Sequence, residues 1–583
     1  MDAGKRNIAD IFNKGRVLQI PFFQRGYVWE KENWERFHND MLDIAYSQKN
    51  YFLGSVILKS KEIPADVQIG DCRSVIDGQQ RLTTIALYFK ALTETKQKDN
   101  IYESTFYNWA HEFILQHNHM DNEIFQAIVT GNLTKDLETK YASNNVLKCY
   151  RYFQELVSDF QSVDPLILLG HIYFVGIDLS YDEDEQQIFD TINSLGVRLT
   201  VAELLKNHLF STQGDIDLYK RTWLDTFEKD EETRKFWDTE ITSGRIKRSN
   251  MDVLLQAFFT IKNDSTDFKL SELFQEYKKY INAHDILKTS FVKADFIGEL
   301  IEYAKLYKDN IDPEKLDNNM DSDNFTDRMN IIFFKLEIST AIPYVLYVLK
   351  NVPNAEERNK IFKMLESYFI RRIICGSTTK NYNRLIKSLI SSNIAITERS
   401  ITTAKDFFEF FKGKEDTEDK YPTIEQMIKE FPTQKLTNVI ATGILYLLEM
   451  SVRHEAKQQT LLKGINCYEL EHIMPQKWED NWKIVNDDPD QLKKLAEKRN
   501  AIIKTLGNMT ILTKGLNRSM HNVDWNTKKK GTEKWDGLNK FAEGIETFSP
   551  YISLDEWNEN TISQRSSALL SYALKVWPDF ENN

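Results

Sequence analysis

The stretch S-V-I-D-G-Q-Q-R-L-T-T-I-A-L-Y-F-K-A-L, residues 74–92, constrains the fold more than any other part of this chain. Its first three residues are typical of a strand, and Asp77-Gly78 directly after them is typical of a turn. Beyond the turn, apolar side chains recur at the spacing of one helix face, at Leu82, Ile85, Ala86, Phe89 and Leu92. The pattern predicts a strand that turns directly into a helix.

The length and composition of the chain allow several hydrophobic cores. It has 583 residues, of which 41% are hydrophobic, and proline and glycine are scarce, so a disordered chain is excluded. Patterns of short strands and helices fill residues 1–215, and mostly helical patterns fill 216–430. A helix, a strand and a basic segment follow in 431–583. We expect an α+β protein that is predominantly helical.

Cysteines, apolar segments and charge limit the compartment and the partners. The four cysteines form no C-x-x-C pair, which fits a reducing compartment and argues against a zinc ribbon. The N-terminus lacks a signal peptide, and the longest apolar run, residues 338–349, is too short to cross a bilayer. We therefore expect a soluble cytoplasmic protein without a membrane partner. The net charge of −12 excludes a surface that coats nucleic acid everywhere, but it allows a local basic site.

The stretch Y-E-L-E-H-I-M-P, residues 468–475, places a charged and a titratable side chain inside an apolar segment. It predicts a short, partly buried strand that ends before Pro475, because proline cannot continue a ladder of backbone hydrogen bonds. Glu471 and His472 are costly to bury unless something uses them, although a satisfied pair at a strand end would also explain them. Side chains alternate on a regular strand, so the two share one site only if the strand twists or ends there.

Two asparagines follow in L-G-N-M-T-I-L-T-K-G-L-N, residues 506–517. Asn508 lies on a strand-like run, and Asn517 lies at the start of a predicted helix. With the Glu-His strand, these segments predict a ββα arrangement. A neutral histidine can take a proton from water at physiological pH, and carboxylate and amide oxygens suit Mg²⁺. The pattern therefore indicates metal-dependent hydrolysis of a phosphodiester.

The segment from residue 493 to residue 530 is strongly basic. Its ten lysines and arginines are opposed only by Glu497 and Asp524. A basic segment beside a metal site in an acidic chain is typical of an enzyme that acts on a polyanion, and a solvated charged face is the alternative. The candidate contacts to nucleic acid are Lys514, Arg518, Lys528, Lys529 and Lys530.

The turn at Asp77-Gly78 carries a second candidate site. The first N–H groups of a helix attract anions, Gly78 lets a phosphate approach the backbone, and Arg81 can bind a phosphate with two hydrogen bonds. Asp77 would repel bare phosphate, so we interpret it as a helix cap, an Mg²⁺ ligand or a group that orients water. A capped helix with a surface arginine is the alternative.

Two further stretches strengthen the case for function at this turn. I-P-F-F-Q-R-G-Y-V-W-E, residues 20–30, brings Gln24 and Arg25 together with aromatic residues. F-D-T-I-N-S-L-G-V-R-L-T, residues 189–200, supplies Asn193. The first stretch would also fit a strand with core aromatics, and the second a helix that ends at glycine.

The C-terminal motifs E-H-I-x-P, G-N-M-T-I-L-T, L-N and K-K-K resemble the HNH (ββα-metal) nuclease domain of GmrSD-type modification-dependent (type IV) restriction proteins, over about residues 431–560. The resemblance implies that His472 is the general base and that Asn508 supports its loop. It implies that Glu471 and Asn517 bind the metal, Mg²⁺ or Mn²⁺. Further polar positions of the family fall at His521 and Lys530.

The N-terminal motifs Q-R-x-Y-x-W, G-S-V-I-L, I-D-G-Q-Q-R-L-T-T and F-x-x-I-N-x-x-G-x-x-L resemble the other half of the same proteins, over about residues 8–210. That half is a ParB/sulfiredoxin-like domain. The resemblance implies that it binds a nucleoside triphosphate (GTP, UTP or ATP), often with hydrolysis in which Asp77 and Arg81 take part, and senses modified DNA. The residues implied in nucleotide binding are Gln24, Arg25, Asp77, Gly78, Gln79, Gln80, Arg81 and Asn193.

These inferences predict a sensor domain in 1–215, a helical linker domain in 216–430 and a nuclease domain in 431–583. In the linker domain, five cations either bind backbone phosphate or pair with acidic residues, namely Arg371, Arg372, Lys380, Arg384 and Lys387. We expect a nucleotide-regulated, Mg²⁺-dependent endonuclease of phage defence that cuts modified double-stranded DNA. An RNA-directed or toxin-like nuclease is one alternative, and a nucleotide-switched binding protein with an inactive HNH site is another. A homo-oligomer is compatible with the sequence.

Overall fold

A computed structural model describes residues 2–22, 24, 26–61, 71–118, 121–180, 200–210, 213–243, 246–263, 270–390, 402–414, 418–455, 462–484, 488–520, 522–541 and 544–579. Arg25, Asn193 and His521, which the sequence singled out, lie outside these ranges. The chain divides into two compact units, Met1–Tyr219 and Lys220–Asn583. The predicted linker and nuclease domains both fall in the second unit, so the division into three domains stays a prediction.

The first unit is built on a mixed six-stranded sheet. Its strands are β1 (Asp2–Asn7), β2 (Arg16–Gln19), β3 (Tyr51–Ser60), β4 (Asp71–Asp77), β5 (Leu115–Gln116) and β6 (Ile172–Leu179). Their spatial order is β1-β6-β3-β4-β2-β5, antiparallel between β1 and β6 and between β3 and β4, and parallel elsewhere. The predicted strands around residues 52–58 and 74–76 are confirmed as β3 and β4.

The main hydrophobic core of the first unit lies on the sheet face that carries Val56, Leu58 and Val75. Helices make up much of the rest of this unit. They are α1 (Ile8–Ile11), α2 (Lys31–Ser47), α3 (Gln79–Lys96), α4 (Asp99–Phe106), α5 (Asn122–Val129), α6 (Lys135–Lys140), α7 (Asn145–Gln154), α8 (Val157–Phe160), α9 (Pro165–His171), α10 (Val201–Leu209) and α11 (Ile216–Tyr219). Every side chain of α3 from Leu82 to Phe89 is buried. A helix buried on all sides lies in the core, so its N-terminus is rigidly placed at the end of β4.

The second unit is mostly helical. It begins with a π-helix, Lys220–Glu228, and contains two short hairpins, β7 (Glu240–Ser243) with β8 (Ile246–Ser249) and β11 (Gly531–Thr532) with β12 (Trp535–Asp536). Its helices are α12 (Glu231–Asp238), α13 (Asn250–Lys262), α14 (Leu273–Ala283), α15 (Ser290–Asn310), α16 (Phe325–Phe334), α17 (Ile342–Asn351), α18 (Ala355–Ile374), α19 (Tyr382–Ile390), α20 (Ala404–Lys412), α21 (Ile424–Glu430), α22 (Asn438–Glu455), α23 (Pro489–Ile502), α24 (Lys514–Met520), α25 (Trp525–Lys530), α26 (Leu538–Phe541) and α27 (Glu559–Val576).

Two buried arginines of α18 bind protein carbonyl oxygens. Arg371 donates to the backbone oxygens of Pro422 at 2.8 Å and Trp577 at 2.9 Å. Arg372 donates to the backbone oxygens of Glu418 and Thr378, each at 2.7 Å. Both guanidinium groups are inside the protein, so the interpretation that they bind backbone phosphate is wrong. These hydrogen bonds hold the segments around residues 420 and 577 against this helix.

The C-terminal part contains the predicted ββα arrangement. Strand β9 (Tyr468–His472) pairs antiparallel with β10 (Met509–Thr513), and α24 begins at the residue after β10. The pairing is regular from Tyr468 opposite Thr513 to His472 opposite Met509, and β9 ends there, ahead of Pro475. The predicted strand end is therefore confirmed.

The helical content of 61% and the small mixed sheet confirm the predicted α+β, predominantly helical class. No helix within the described ranges is both long and apolar enough to span a membrane.

Candidate active site

His472 is the last residue of β9, and its side chain is half-buried. Burial, reinforced by the nearby cations of Lys528 and Lys504, lowers the pKa of His472 to about 4. The ring is therefore neutral at pH 7, as a general base must be before it accepts a proton. The Nε2 atom of Gln476 lies 3.2 Å from Nε2 of His472, and an amide N–H donating there requires a lone pair on that ring nitrogen.

Asn508 holds the loop that follows His472. Its Nδ2 donates to the backbone oxygens of Met474 at 2.8 Å and Ile503 at 2.9 Å. Its Oδ1 accepts from Met474 N at 2.9 Å and from Trp557 Nε1 at 3.0 Å. The side chain is fully buried, and these four hydrogen bonds satisfy its amide group. The contacts fit the loop-supporting role that the resemblance implies for Asn508.

Arg565 of α27 supports the same segment from behind, and sequence reasoning missed it. Its Nη1 donates to the backbone oxygens of Leu506, Gly507 and Met509, at 3.1, 3.0 and 2.6 Å. A Cβ atom at position 507 would lie 2.5 Å from the backbone oxygen of Ile562, so glycine is needed for α27 to approach this closely. The contacts join residues far apart in sequence, and a lone arginine inside a helical pattern gives no signal of them.

Glu471 is paired with a buried lysine. Lys528 Nζ contacts Glu471 Oε1 and donates to the backbone oxygen of His472 at 3.0 Å. Lys528 has no exposed side-chain surface, and burial lowers its pKa although Glu471 acts in the opposite direction. A buried charge of this kind is tolerated only when it is paired. Lys528 therefore fixes the Glu471 carboxylate beside the end of β9.

Asn517 lies on α24 against β9. Its Nδ2 donates to Glu469 Oε2 at 3.1 Å and points at the backbone oxygen of Leu470 at 3.4 Å. Its Oδ1 is buried and has no hydrogen-bond partner among the residues that the structure describes. Glu469 and Glu471 are two residues apart on a regular strand and therefore share a face, the face that Asn517 contacts. Asn517 thus contacts the face of β9 on which strand alternation places Glu471, and the role of the two residues as metal ligands stays a prediction.

These residues fit a hard divalent cation. An unpartnered amide oxygen and a carboxylate are donors that Mg²⁺ accepts, and Mg²⁺ takes the rest of its shell from water and substrate phosphate. Within the described ranges, no group of three or more His, Cys, Asp or Glu side chains could hold a metal ion. Glu471 and Asn517 would supply two ligands of such a cation, and the Glu471 carboxylate is also bound by Lys528.

The predicted nucleic-acid contacts separate into two classes. Lys514 and Lys530 are exposed. Lys528 and Lys529 are buried, and Lys529 Nζ donates to the backbone oxygen of Leu554 at 2.8 Å. The expectation of direct phosphate contact is therefore corrected for these two lysines, because neither ammonium faces solvent. The side chain of Arg518 lies outside the described structure.

In the first unit, Gly78 joins β4 to α3 as the sequence predicts. Its φ angle of +96° lies in the left-handed region, and an added Cβ atom would lie 2.9 Å from Val56 Cγ2. Gly78 is the N-cap residue of α3, so the interpretation of Asp77 as the helix cap is wrong. Asp77 Oδ2 instead accepts from Ser55 Oγ at 2.9 Å and lies 3.6 Å from Arg81 Nη1.

The glutamines around this turn differ in what they bind. Gln80 is engaged by the backbone, because its Oε1 accepts from Val28 N at 2.9 Å and its Nε2 donates to Gly26 O at 3.1 Å. Gln24 Nε2 donates to Val75 O at 2.8 Å. Within the described part of the chain, the Oε1 atoms of Gln24 and Gln79 are buried and have no hydrogen-bond partner. Gln24 and Gln79 therefore offer free acceptors near the turn, whereas Gln80 holds the loop before α2.

Two family models match the chain. The N-terminal domain of the GmrSD restriction endonuclease matches residues 8–210, and the C-terminal domain of GmrSD restriction endonucleases matches residues 419–572. Together they cover more than half of the chain, in the order expected from the motifs. No curated protein matches the chain. The chain therefore belongs to the GmrSD family, whose members are restriction endonucleases that act on DNA.

Proposed function

We propose that this protein is a nucleotide-regulated, divalent-metal-dependent endonuclease of the HNH type that restricts modified foreign DNA. The observation that carries the proposal is the ββα arrangement of β9, β10 and α24. His472 ends β9, Asn508 braces the loop that follows, and Glu471 and Asn517, to which the proposal assigns the cation, lie on β9 and α24.

The chemistry assigned to the chain's own residues is proton transfer and orientation. His472 takes a proton from the attacking water, whose oxygen forms the new bond to phosphorus while the P–O bond to the leaving oxygen breaks. Asn508 keeps the loop after His472 in place during this step. Glu471 and Asn517 would hold a divalent cation, which would neutralise phosphate charge and stabilise the leaving oxygen when bound. Exposed Lys514 and Lys530 attract the DNA backbone.

The rate of DNA cleavage by the His472→Ala variant tests the nuclease assignment. The variant should lose about 10²–10⁴-fold in rate, the worth of a general base, while its circular dichroism and nucleotide binding stay unchanged. His284→Ala, at an exposed histidine of α14's C-terminal end, is the matched control. Wild-type activity in a folded His472→Ala would remove the HNH assignment.

The substrates in this experiment decide among the alternatives. Matched modified and unmodified phage DNA, and an RNA of the same sequence, are each tested with and without GTP, UTP or ATP. Cleavage restricted to modified DNA supports the proposal. Cleavage of RNA alone favours the RNA-directed nuclease, and nucleotide-dependent binding without cleavage favours the inactive binding protein.

Nucleotide binding is assigned to the turn between β4 and α3. Helix α3 begins directly after Gly78 and carries Arg81 in its first turn, and the N–H groups of a first helical turn attract anions. In this proposal Asp77 acts through metal or water, because its carboxylate would repel a bare phosphate. Regulation then requires that the nucleotide bind two conformations of the enzyme with different affinity.

A further inference from the structure

The hydrogen bond from Asn517 to Glu469 determines which way the Asn517 amide points. Glu469 Oε2, 3.1 Å away, and the backbone oxygen of Leu470, 3.4 Å away, are both acceptors at neutral pH. They can bind only the NH₂ side of an amide. A flipped amide would place its oxygen against a carboxylate and a carbonyl oxygen, which repel it. The two contacts therefore fix the orientation of Asn517.

This orientation leaves the Asn517 Oδ1 atom as a buried acceptor that none of the described residues contacts by a hydrogen bond. Burying a polar atom in that state costs about 1–3 kcal/mol, so native proteins rarely do so unless something else binds the atom. The candidate ligands of a hard cation include such an amide oxygen. The side chain thus has one end fixed by Glu469 and the other end free for a ligand.

Glu469 differs from Glu471 in its surroundings. The two face the same side of β9, opposite Leu512 and Thr510 of β10 respectively. Lys528 neutralises Glu471, whereas among the described residues no salt bridge involves Glu469. The contact that the structure gives to the Glu469 carboxylate is the amide of Asn517. Glu469 is therefore placed to act on Asn517 and not on the buried lysine.

We propose that Glu469 is a positioning residue of the metal site, which holds the Asn517 amide so that Oδ1 faces the cation. Glu469 itself stays outside the coordination sphere. The inference rests on the proposed function, because that proposal makes Asn517 a metal ligand. Partners that orient metal ligands are typically worth about 10–100-fold in metal affinity.

The test is calorimetric titration of the full chain with Mn²⁺ alone, without nucleotide or DNA. Glu469→Met and Glu469→Gln form a matched pair, because both remove the charge at similar volume but only glutamine keeps an acceptor for Asn517. We expect Glu469→Met to raise the Kd about tenfold or more. Glu469→Gln should stay within about threefold of the wild type, since losing a half-exposed charge costs little. Glu497→Ala, at an exposed residue of α23, controls for the loss of a carboxylate.

A double-mutant cycle with Asn517→Ala tests whether Glu469 affects Mn²⁺ affinity through Asn517. If Glu469 acts through Asn517, Glu469→Met should cause no further loss of Mn²⁺ affinity in the Asn517→Ala background. An additive loss would overturn the proposal, and so would equal losses in Glu469→Met and Glu469→Gln, which indicate a direct ligand. Circular dichroism checks the fold, and Glu469→Ala replaces the methionine variant if that one is unfolded.

The outcomes also separate this inference from the proposed function. A wild-type Kd in Asn517→Ala would overturn Asn517 as a metal ligand, and the positioning role of Glu469 with it. A raised Kd in Asn517→Ala beside a wild-type Kd in Glu469→Met would overturn the positioning role alone. DNA cleavage is then measured over a range of Mg²⁺ concentrations, and Glu469→Met should need more Mg²⁺ for half-maximal rate.

Discussion

Replacing Asn508 by alanine should loosen the loop after His472. The change removes four hydrogen bonds, which join Asn508 to both backbone groups of Met474, to Ile503 O and to Trp557 Nε1. At about 1 kcal/mol for each bond, the loss is about 4 kcal/mol. Since every 1.4 kcal/mol is a factor of ten, the opening equilibrium of this loop should shift by about a thousandfold.

Hydrogen exchange of the peptide that contains residues 468–476 measures this opening, because exchange reports local unfolding free energy without assuming that the whole chain unfolds at once. The Met474 amide is the most direct probe, since its hydrogen bond ends on Asn508. Trp557→Phe is the matched control. It removes one of the four hydrogen bonds, so the loss of that bond should lower the exchange protection of the peptide by about fivefold.

The reasoning fails if protection of the 468–476 peptide in Asn508→Ala falls by less than tenfold. It also fails if Trp557→Phe matches Asn508→Ala, because the loop would then depend on the tryptophan contact alone. DNA cleavage by Asn508→Ala should decline with the loss of protection, since the loop positions His472.

Three further predictions concern charge. In the metal-free protein, His472 should titrate near pH 4, so its neutral ring contributes stability that is present above pH 6.5 and lost as the pH falls toward 4. NMR of the histidine ring protons measures this pKa, and Lys528→Met should raise the pKa because it removes a nearby cation. Lys530→Ala should weaken DNA binding uniformly across sequences and reduce the slope of log K against log salt by about 1, as binding titrations at several salt concentrations would reveal. Arg81→Ala should weaken NTP binding by about 1.5–3 kcal/mol in calorimetry and alter how cleavage responds to nucleotide, whereas an unchanged affinity would exclude Arg81 from the phosphate site.

The sequence was informative where one local pattern decides the structure. Residues 74–92 combine a strand pattern, a turn and a helical period, and the structure has β4, Gly78 and α3 in that order. The Glu-His strand was predictable for the same reason, because Pro475 limits how far it can extend. The pairing of β9 with β10 is regular through both Glu471 and His472, so a site shared by these two side chains stays a prediction.

Contacts between distant residues were not predictable. Three consecutive lysines are typical of a solvated face, yet Lys528 is buried because Glu471, 57 residues earlier, neutralises it. The ion pair depends on how α25 packs, and the local pattern of hydrophobic and polar residues does not predict that packing. Glu469 was within reach of prediction, because E-L-E on a regular strand places both carboxylates on one face. Its bond to Asn517 was not, since that contact depends on the docking of α24.

The hydrogen bonds from Arg565 to the backbone of residues 506–509 affect when the nuclease site can form during synthesis of the chain. Arg565 lies after β9, β10 and α24 in the chain, so the ribosome makes it after every residue assigned to the chemistry. A nascent chain that has not yet released α27 lacks the cation that gathers three carbonyl oxygens behind Asn508. We expect such a chain to hold the loop after His472 poorly. A cell that makes this enzyme would thus be exposed to a competent nuclease only after α27 has emerged and docked, when the first unit has already been synthesised.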